Sequence, residues 1–301
     1  MPVLFALLAA FANALNVVTQ HVASIGDPEG RKGWHFVRYL VANPLWLFGW
    51  VALAAAFVFQ AIALHNGAIS EVQPLLVTEL VFALVLRRVW IHQGIRAVTW
   101  WAAAVTCASL GVFLGMAQPS GGHADPTSAA WFSASVTTAG AAGVLALLGS
   151  RGSPGRRAAL LGASASVLWA LVAVFIKATT DTLSEFGVAG MFTHWPVYAL
   201  AVAGLVAELL NQAALHLGPL SVSQPFIVIV DPIVSIALSV WIFGETFSEN
   251  AATLAVGSLA FATMCAAVIV LTRTAPATMD PEERAAPGAA RPTGGAVSAS
   301  S

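Results

Sequence analysis

Nine apolar runs recur along the chain, each close to the roughly 20 residues that span a bilayer as a helix. The runs lie at residues 2–24, 44–65, 70–90, 97–117, 129–149, 158–179, 196–217, 221–243 and 252–272. Only 9% of the residues are charged. Soluble domains carry about 25%, so water could not wet a surface of this composition. The sequence therefore predicts an all-α polytopic membrane protein with about nine transmembrane helices.

Positive charge falls on one side of this predicted arrangement. Twelve of the 13 Lys and Arg residues lie in or beside the first, third and fifth loops or after the last run. Because basic residues collect in the cytoplasm, the N-terminus is predicted outside and the C-terminus inside. The first run has no basic residues before it and is predicted to be a retained helix rather than a cleaved signal. The Ala-, Pro- and Gly-rich tail, 273–301, is predicted to be disordered and cytoplasmic.

Two stretches of the chain, 63–91 and 214–242, share a pattern of residues at a constant offset of 151 positions. At that offset the second stretch repeats the following residues of the first: Leu64, His65, Gly67, Ser70, Gln73, Pro74 and Trp90. Apolar residues match by accident in membrane segments, but a shared set of polar residues, Gly and Pro indicates an internal duplication.

The duplication and the charge pattern together predict two inverted four-helix repeats. The first repeat covers residues 1–117 and the second covers 158–272, with a linking transmembrane helix and its loops at 118–157. Because the linking helix crosses the membrane once, the second repeat enters from the opposite side. Inverted repeats are typical of carriers that alternate access around a central site at the repeat interface.

Several short motifs along both halves carry a family resemblance. They are Asn43-Pro44-Leu45-Trp46 with Gly49, the turn at Gly67, Val72-Gln73-Pro74-Leu75, the Ser-rich entry to the sixth run ending at Ile176-Lys177, and Asn211-Gln212-Ala213-Ala214-Leu215. Through these motifs the membrane region resembles the drug/metabolite transporter superfamily, and within it most of all the NIPA-type magnesium transporter branch. The resemblance implies a carrier fold and a cation as one substrate class. Where that branch has Glu-x-x-Asn in its second span this chain has Phe57 and Gln60, and its Thr-Pro is replaced by Gln73-Pro74.

Three carboxyl side chains fall well inside the predicted spans: Glu79 in the third, Glu208 in the seventh and Asp231 in the eighth. A charge at the bilayer centre costs about 2.5–3.5 kcal/mol on insertion scales, so each one calls for an explanation. One explanation is a cation or proton site formed between the repeats. The other is a carboxyl that is protonated, or paired with a polar neighbour, for packing alone.

Polar residues also recur at helical spacing on two spans. Asn13, Asn16 and Gln20 form a stripe on the first, while Gln224, Asp231 and Ser235 mark one face of the eighth. Such stripes either line a cavity or hold helices together by hydrogen bonds. Gln73 and Asn211 complete the predicted set of residues along a substrate or ion pathway.

Three prolines are candidate hinges. Pro74 and Pro225 open the third and eighth spans in the same way, so that helix initiation explains them and a gate is the alternative. Pro232 follows Asp231 and frees a backbone carbonyl within the helix, which suits a cation when a carboxylate lies beside it.

Lys177 is the one basic residue predicted near the outer side of the membrane. A lysine near a helix end extends its amine to the interface. The alternatives are a pair with Glu208 or Asp231, or a contact with an anionic substrate.

The sequence contains no Ser-His-Asp set, no His/Cys metal cluster, no phosphate loop and no basic face for nucleic acid. We therefore expect neither an enzyme nor a nucleic-acid-binding protein, and no cofactor. The expected function is that of a carrier in the plasma (inner) membrane, surrounded by lipid, that moves a small molecule by alternating access. Transport of magnesium or another divalent cation is the alternative, and a non-transporting membrane scaffold or sensor is a further one. Such a fold is compatible with a homodimer.

Overall fold

The structure, a computed structural model, describes residues 1–25, 43–92, 94–120, 122, 126–217 and 220–274, except for the side chains of 215, 220–225 and 227. Ten helices occupy most of these residues: α1 (Pro2–Ile25), α2 (Pro44–Asn66), α3 (Ile69–Leu76), α4 (Glu79–Trp90), α5 (Ala97–Ala117), α6 (Ser128–Gly149), α7 (Pro154–Met191), α8 (Pro196–Leu217), α9 (Leu220–Phe243) and α10 (Ala251–Thr274). Within the described ranges the only extended pairing is an isolated antiparallel bridge between Ser120 and Thr246. The predicted all-helical class is confirmed for this part of the chain.

Eight helical segments are long and apolar enough to cross a membrane, when α3 and α4 are counted as one segment. In α9 the apolar stretch within the described side chains is shorter, at Val228–Phe243. The length and composition of these helices are those of a multi-pass membrane protein. The count of nine spans and the orientation of the termini stay predictions.

Helix starts are set by residues that satisfy the free N–H groups of a first turn. The Asn43 side chain accepts a hydrogen bond from the Leu45 N–H at 2.9 Å, and Pro44 follows it as the first helical residue. Thr127 caps α6 in the same manner, through the Ala130 N–H at 3.2 Å. Polar caps and first-turn prolines explain why helices begin where the apolar runs begin.

The packing places α7 at the centre of the molecule. The central part of this helix, 158–179, is largely buried, and the helix packs against α6, α8, α9 and α2. On the other side α1 packs against α2, α3 and α4, while α5 pairs with α10. The end of the bundle where α2 and α3 meet at Gly67 is called the outer end below, since the charge pattern predicts that it faces outside. The opposite end is called the inner end.

The third predicted span differs from the prediction. It was expected to be one helix over 70–90, but it is divided into α3 and α4 at Val77 and Thr78. Pro74 is the sixth residue of α3, so its predicted place in a first turn is wrong. At the break the chain tightens into bonds from the Val77 N–H to the Pro74 carbonyl (3.3 Å) and from the Thr78 N–H to the Leu75 carbonyl (3.1 Å).

The sixth predicted span also differs. The interval 158–179 is only the central part of α7, which runs from Pro154 to Met191 and departs from helical geometry at Gly187, where φ is 70°. Polar residues such as Asp181 and Glu185 continue the helix beyond the apolar run. The predicted disordered tail, 273–301, begins two residues too early, because α10 continues to Thr274. Residues 275–301 and the basic residues of the first loop lie outside the described residues.

Candidate functional site

A cavity of about 640 Å³ lies between α1, α2, α3, α4, α7, α8 and α9. Nine of the residues predicted from the sequence line it: Asn13, Asn16, Gln20, Gln73, Glu79, Glu208, Asn211, Asp231 and Pro232. They come from positions as far apart as 13 and 232 in the chain. The structure therefore brings together in one space most of the polar residues that the sequence places inside the membrane.

On the first half of the chain, Glu79 is the first residue of α4, directly after the break. The Asn13 amide nitrogen of α1 donates a hydrogen bond to the Glu79 carboxylate. One turn further along α1, the Gln20 amide donates to the Asn16 side-chain oxygen at 2.6 Å. The predicted polar stripe on α1 thus lines the cavity, and its Asn13 also joins α1 to α4 by a hydrogen bond.

On the second half, Asp231 of α9 accepts a hydrogen bond from the Ser235 hydroxyl at 3.0 Å. Ser235 is fully buried and lies behind Asp231 rather than on the cavity wall. Glu208 of α8 accepts from the Gln212 amide at 2.6 Å and from the Asn211 amide at 3.4 Å. Among the described residues, each of the three carboxylates has a neutral amide or hydroxyl partner and no cationic one.

Pro232 lies within α9, in contact with the cavity beside Asp231. Proline has no N–H, so the carbonyl of Val228 lacks its usual partner four residues on. Val228 lines the same cavity. An acceptor carbonyl and a carboxylate thus lie on neighbouring parts of one helix, as the Asp-Pro pair predicts.

Gln73 of α3 is a further polar group aimed at this space. Its side chain is 2% exposed, and its amide nitrogen has no hydrogen-bond partner in the described part of the chain. A buried donor left unpaired costs about 1–3 kcal/mol. An unpaired amide donor next to a cavity is suited to donate a hydrogen bond to a ligand.

Aromatic side chains and two further amides complete the cavity wall. Trp50, Phe57 and Trp169 line it, and so do Gln60 and Gln212. Sequence reasoning did not select these aromatic residues, because a Trp or Phe in an apolar run is indistinguishable from one that faces lipid.

Of the other five predicted residues, Ser235, Pro74 and Lys177 do not line this wall. Pro74 lies within α3, and Gln224 and Pro225 belong to the α9 backbone, although their side chains are outside the description. Lys177 points to the outer end. Its amine donates to the carbonyls of Leu64 at 2.7 Å and Gly67 at 3.1 Å, so the alternative of a pair with Glu208 or Asp231 is wrong, while the interfacial position and a contact with an anionic substrate stay predictions.

Glu245 is a buried carboxylate that sequence reasoning missed. It lies just after α9, is 2% exposed, and accepts hydrogen bonds from the Ile69 N–H at 2.6 Å and the Ser70 N–H at 3.0 Å. A Glu after an apolar run usually faces solvent, so the sequence carries no signal for this burial. The carboxylate caps the N-terminus of α3, where the free N–H groups of a helix favour a negative charge.

Comparisons with known proteins give one informative match. The chain is 28% identical over 276 residues to an uncharacterized protein of Corynebacterium glutamicum, and the match covers 91% of this chain and 95% of that protein. No family profile matches the chain, and no solved structure matches it. The two proteins are therefore similar along nearly their whole length, and neither the fold family nor the activity follows from the comparison.

Proposed function

We propose that this protein is a secondary carrier of the drug/metabolite transporter type, located in the plasma membrane, whose substrate binds in the central cavity. One observation carries the proposal: Glu79 of the first half and Glu208 and Asp231 of the second half line the same space. Carriers built from inverted repeats bind their substrates at the repeat interface near the bilayer midplane.

A packing role alone is a weak explanation for these groups. Each charge within the membrane costs about 2.5–3.5 kcal/mol on insertion scales, and apolar side chains fill the rest of the bundle well. A cavity of about 640 Å³ falls within the range of about 300–1,000 Å³ found for small-molecule sites. A scaffold would need neither the carboxylates nor the space.

The charge of the wall favours a positively charged solute. Three carboxylates line the cavity, and no Lys, Arg or His is among its lining residues in the described part of the chain. Trp50, Phe57 and Trp169 add aromatic faces, which attract an ammonium or guanidinium group by about 0.5–2 kcal/mol per contact. These features fit an organic cation, such as an amine, a guanidine or a quaternary ammonium compound.

A divalent cation is the second candidate substrate. The Val228 carbonyl beside Asp231, and the resemblance to NIPA-type carriers, favour it. Among the described residues, however, no three His, Cys, Asp or Glu side chains are grouped to hold one metal ion. Magnesium keeps several of its waters when it has one or two protein carboxylates, so it would bind here partly hydrated. The aromatic wall has no function in that case, and we rank the organic cation first.

Uptake into proteoliposomes tests the proposal. Purified protein is reconstituted, and uptake of benzyltrimethylammonium, guanidinium and Mg²⁺ is compared with uptake of an anion, benzoate. We expect uptake of at least one organic cation, with a loss of about tenfold or more in Asp231→Asn, since each charge-assisted contact contributes about 1.5–3 kcal/mol.

The matched control is Glu185→Gln, which removes an exposed carboxylate of α7 far from the cavity. It should transport as the unaltered protein does. Uptake of benzoate in preference to every cation, or uptake that Asp231→Asn leaves unchanged, would contradict the proposal. Magnesium uptake alone would promote the second candidate.

A further inference from the structure

The turn between α2 and α3 is held by two charged residues from the other half of the chain. Lys177 of α7 binds the carbonyls on its α2 side, and Glu245 after α9 binds the N–H groups on its α3 side. The turn, residues 64–70, belongs to the first predicted repeat, whereas both charged residues follow position 157. We call this arrangement the outer clamp.

Each charge of the outer clamp matches the helix end that it contacts. The last carbonyls of a helix are unsatisfied and carry partial negative charge, which favours the Lys177 amine at Leu64 and Gly67. The first N–H groups of a helix carry partial positive charge, which favours the Glu245 carboxylate at Ile69 and Ser70. The Ser70 hydroxyl adds a third bond to Glu245 at 2.5 Å.

Aromatic packing surrounds the outer clamp. The Lys177 amine lies 5.8 Å from the centre of the Phe243 ring. Trp131 packs against Phe175, Trp195 and Phe243, with ring centres 5.1 to 6.1 Å apart. Helices α6, α7, α8 and α9 are therefore joined at the outer end around the contact that the clamp makes.

The central cavity lies next to the outer clamp, since Ile176, which lines the cavity, directly precedes Lys177 in α7. Its lining side chains nearest the outer end, Gln73, Val172 and Ile176, are buried. Those nearest the inner end, Trp50 and Gln212, are exposed. The outer clamp therefore borders the outer part of the cavity and joins the two halves of the chain there.

The sequence shows that this arrangement has no counterpart in the duplicated half. At the offset of 151 positions, Ser70 corresponds to Ser221, but Glu245 corresponds to Gly94 and Lys177 to Gly26. The two charges are therefore an addition to one side of an otherwise repeated pattern. A stabilising contact that is present on only one side of a carrier favours the conformation in which that side is closed when no substrate is bound.

We propose that Lys177 and Glu245 form the outer gate of the carrier, and that their release from the α2–α3 turn opens the central cavity to the outer side. This inference goes beyond the proposed function, because it assigns a conformational function to residues that do not line the cavity. It holds for any substrate. It requires only that the two halves of the chain move against each other.

Accessibility of a cavity cysteine from each side tests the gate. Cys107 and Cys265 are replaced by Ala, Gln60→Cys is introduced in the cavity wall, and the rate of reaction with a membrane-impermeant maleimide is measured on intact cells and on inverted vesicles. With the outer clamp intact we expect slow labelling from outside and faster labelling from inside. In Glu245→Gln and Lys177→Met we expect labelling from outside to rise about tenfold, the population shift that loss of about 1.4 kcal/mol produces.

Two controls, Glu249→Gln and a Glu185→Cys reporter, and one milder variant, Ser70→Ala, accompany these measurements. Glu249→Gln removes an exposed carboxylate four residues from Glu245 and should leave labelling unchanged. Ser70→Ala removes only the hydroxyl bond to Glu245 and should raise outside labelling by a smaller factor, which preserves the test if Glu245→Gln does not fold. A Glu185→Cys reporter on the exposed outer part of α7 must label equally in every background.

Unchanged labelling of Gln60→Cys from both sides in folded Lys177→Met and Ser70→Ala would overturn the gate. Because labelling needs no substrate, this outcome is independent of the transport assay. A protein with no uptake and a working gate would refute the proposed substrate class alone, and uptake without any effect of the clamp residues would refute the gate alone.

Discussion

Replacing Glu245 by Ala should be among the most damaging single changes in the protein. The carboxylate is buried and accepts three hydrogen bonds, from the Ile69 N–H, the Ser70 N–H and the Ser70 hydroxyl. Alanine leaves these donors without a partner, and each unpaired buried donor costs about 1–3 kcal/mol. The hydroxyl can rotate to another acceptor, so the two backbone groups dominate. We expect a loss of about 3–5 kcal/mol in the free energy of unfolding, the range found when one side of a buried charged contact is removed.

The measurement is reversible unfolding in mixed detergent micelles, followed by tryptophan fluorescence. Glu249→Ala is the matched control and should change the free energy of unfolding by less than about 0.5 kcal/mol, as exposed substitutions do. If Glu245→Ala unfolded together with the control, the capping of α3 by this carboxylate would be wrong. The stability argument and the gate would then both lose their structural basis.

Three further substitutions test other contacts. Gly49→Ala should destabilise the protein by about 1–3 kcal/mol, because the added carbon would lie 2.8 Å from the Thr19 hydroxyl at the α1–α2 contact. The control is Gly111→Ala, where nothing lies within 4 Å of the added carbon. It should be neutral or slightly stabilising in the same unfolding assay. Gln73→Leu should change the free energy of unfolding by less than about 1 kcal/mol, since the amide nitrogen it removes is unpaired. It should weaken substrate binding by about 3- to 10-fold. Equal affinity would show that this amide does not contact the substrate. Trp169→Ala should weaken binding of an aromatic ammonium compound more than binding of Mg²⁺, by about 3- to 30-fold, and equal losses for both would argue against a cation–aromatic contact.

The helix positions were predictable because the bilayer sets both the length and the composition of a span. The predicted run 97–117 coincides with α5, and the predicted run 196–217 coincides with α8. The internal division of the third span was not predictable from hydropathy, because Val77 and Thr78 continue the apolar run. Pro74 does not supply the signal, because the hydrogen bond it removes is the one to the Ser70 carbonyl and not one at Val77 or Thr78.

The cavity was predictable to the extent that polar groups stand out within apolar runs. Asn13, Glu79 and Asp231 could be selected because each is costly in lipid unless a partner or a cavity receives it. The outer clamp could not be predicted in this way. Lys177 and Glu245 bind backbone atoms, and no residue type at positions 64–70 reveals that its carbonyl or N–H will meet a charge from another part of the chain.

The start positions of the helices can be compared with the offset of the duplicated sequence. Helix α3 begins at Ile69 and α9 begins at Leu220, which are 151 positions apart. Helices α2 and α8 begin 152 positions apart, at Pro44 and Pro196. These spacings are compatible with the two-repeat hypothesis, which stays a prediction.

Equilibrium binding of an organic cation tests the central claim most directly. Trp50 and Trp169 line the cavity, so quenching of tryptophan fluorescence can follow binding of benzyltrimethylammonium to the purified protein. The account predicts saturable binding to the unaltered protein and to Glu185→Gln, with at least about tenfold weaker binding to Asp231→Asn and Glu79→Gln. Equal affinity in all four proteins, or tighter binding of benzoate than of the cation, would contradict a cation site between the two halves of the chain.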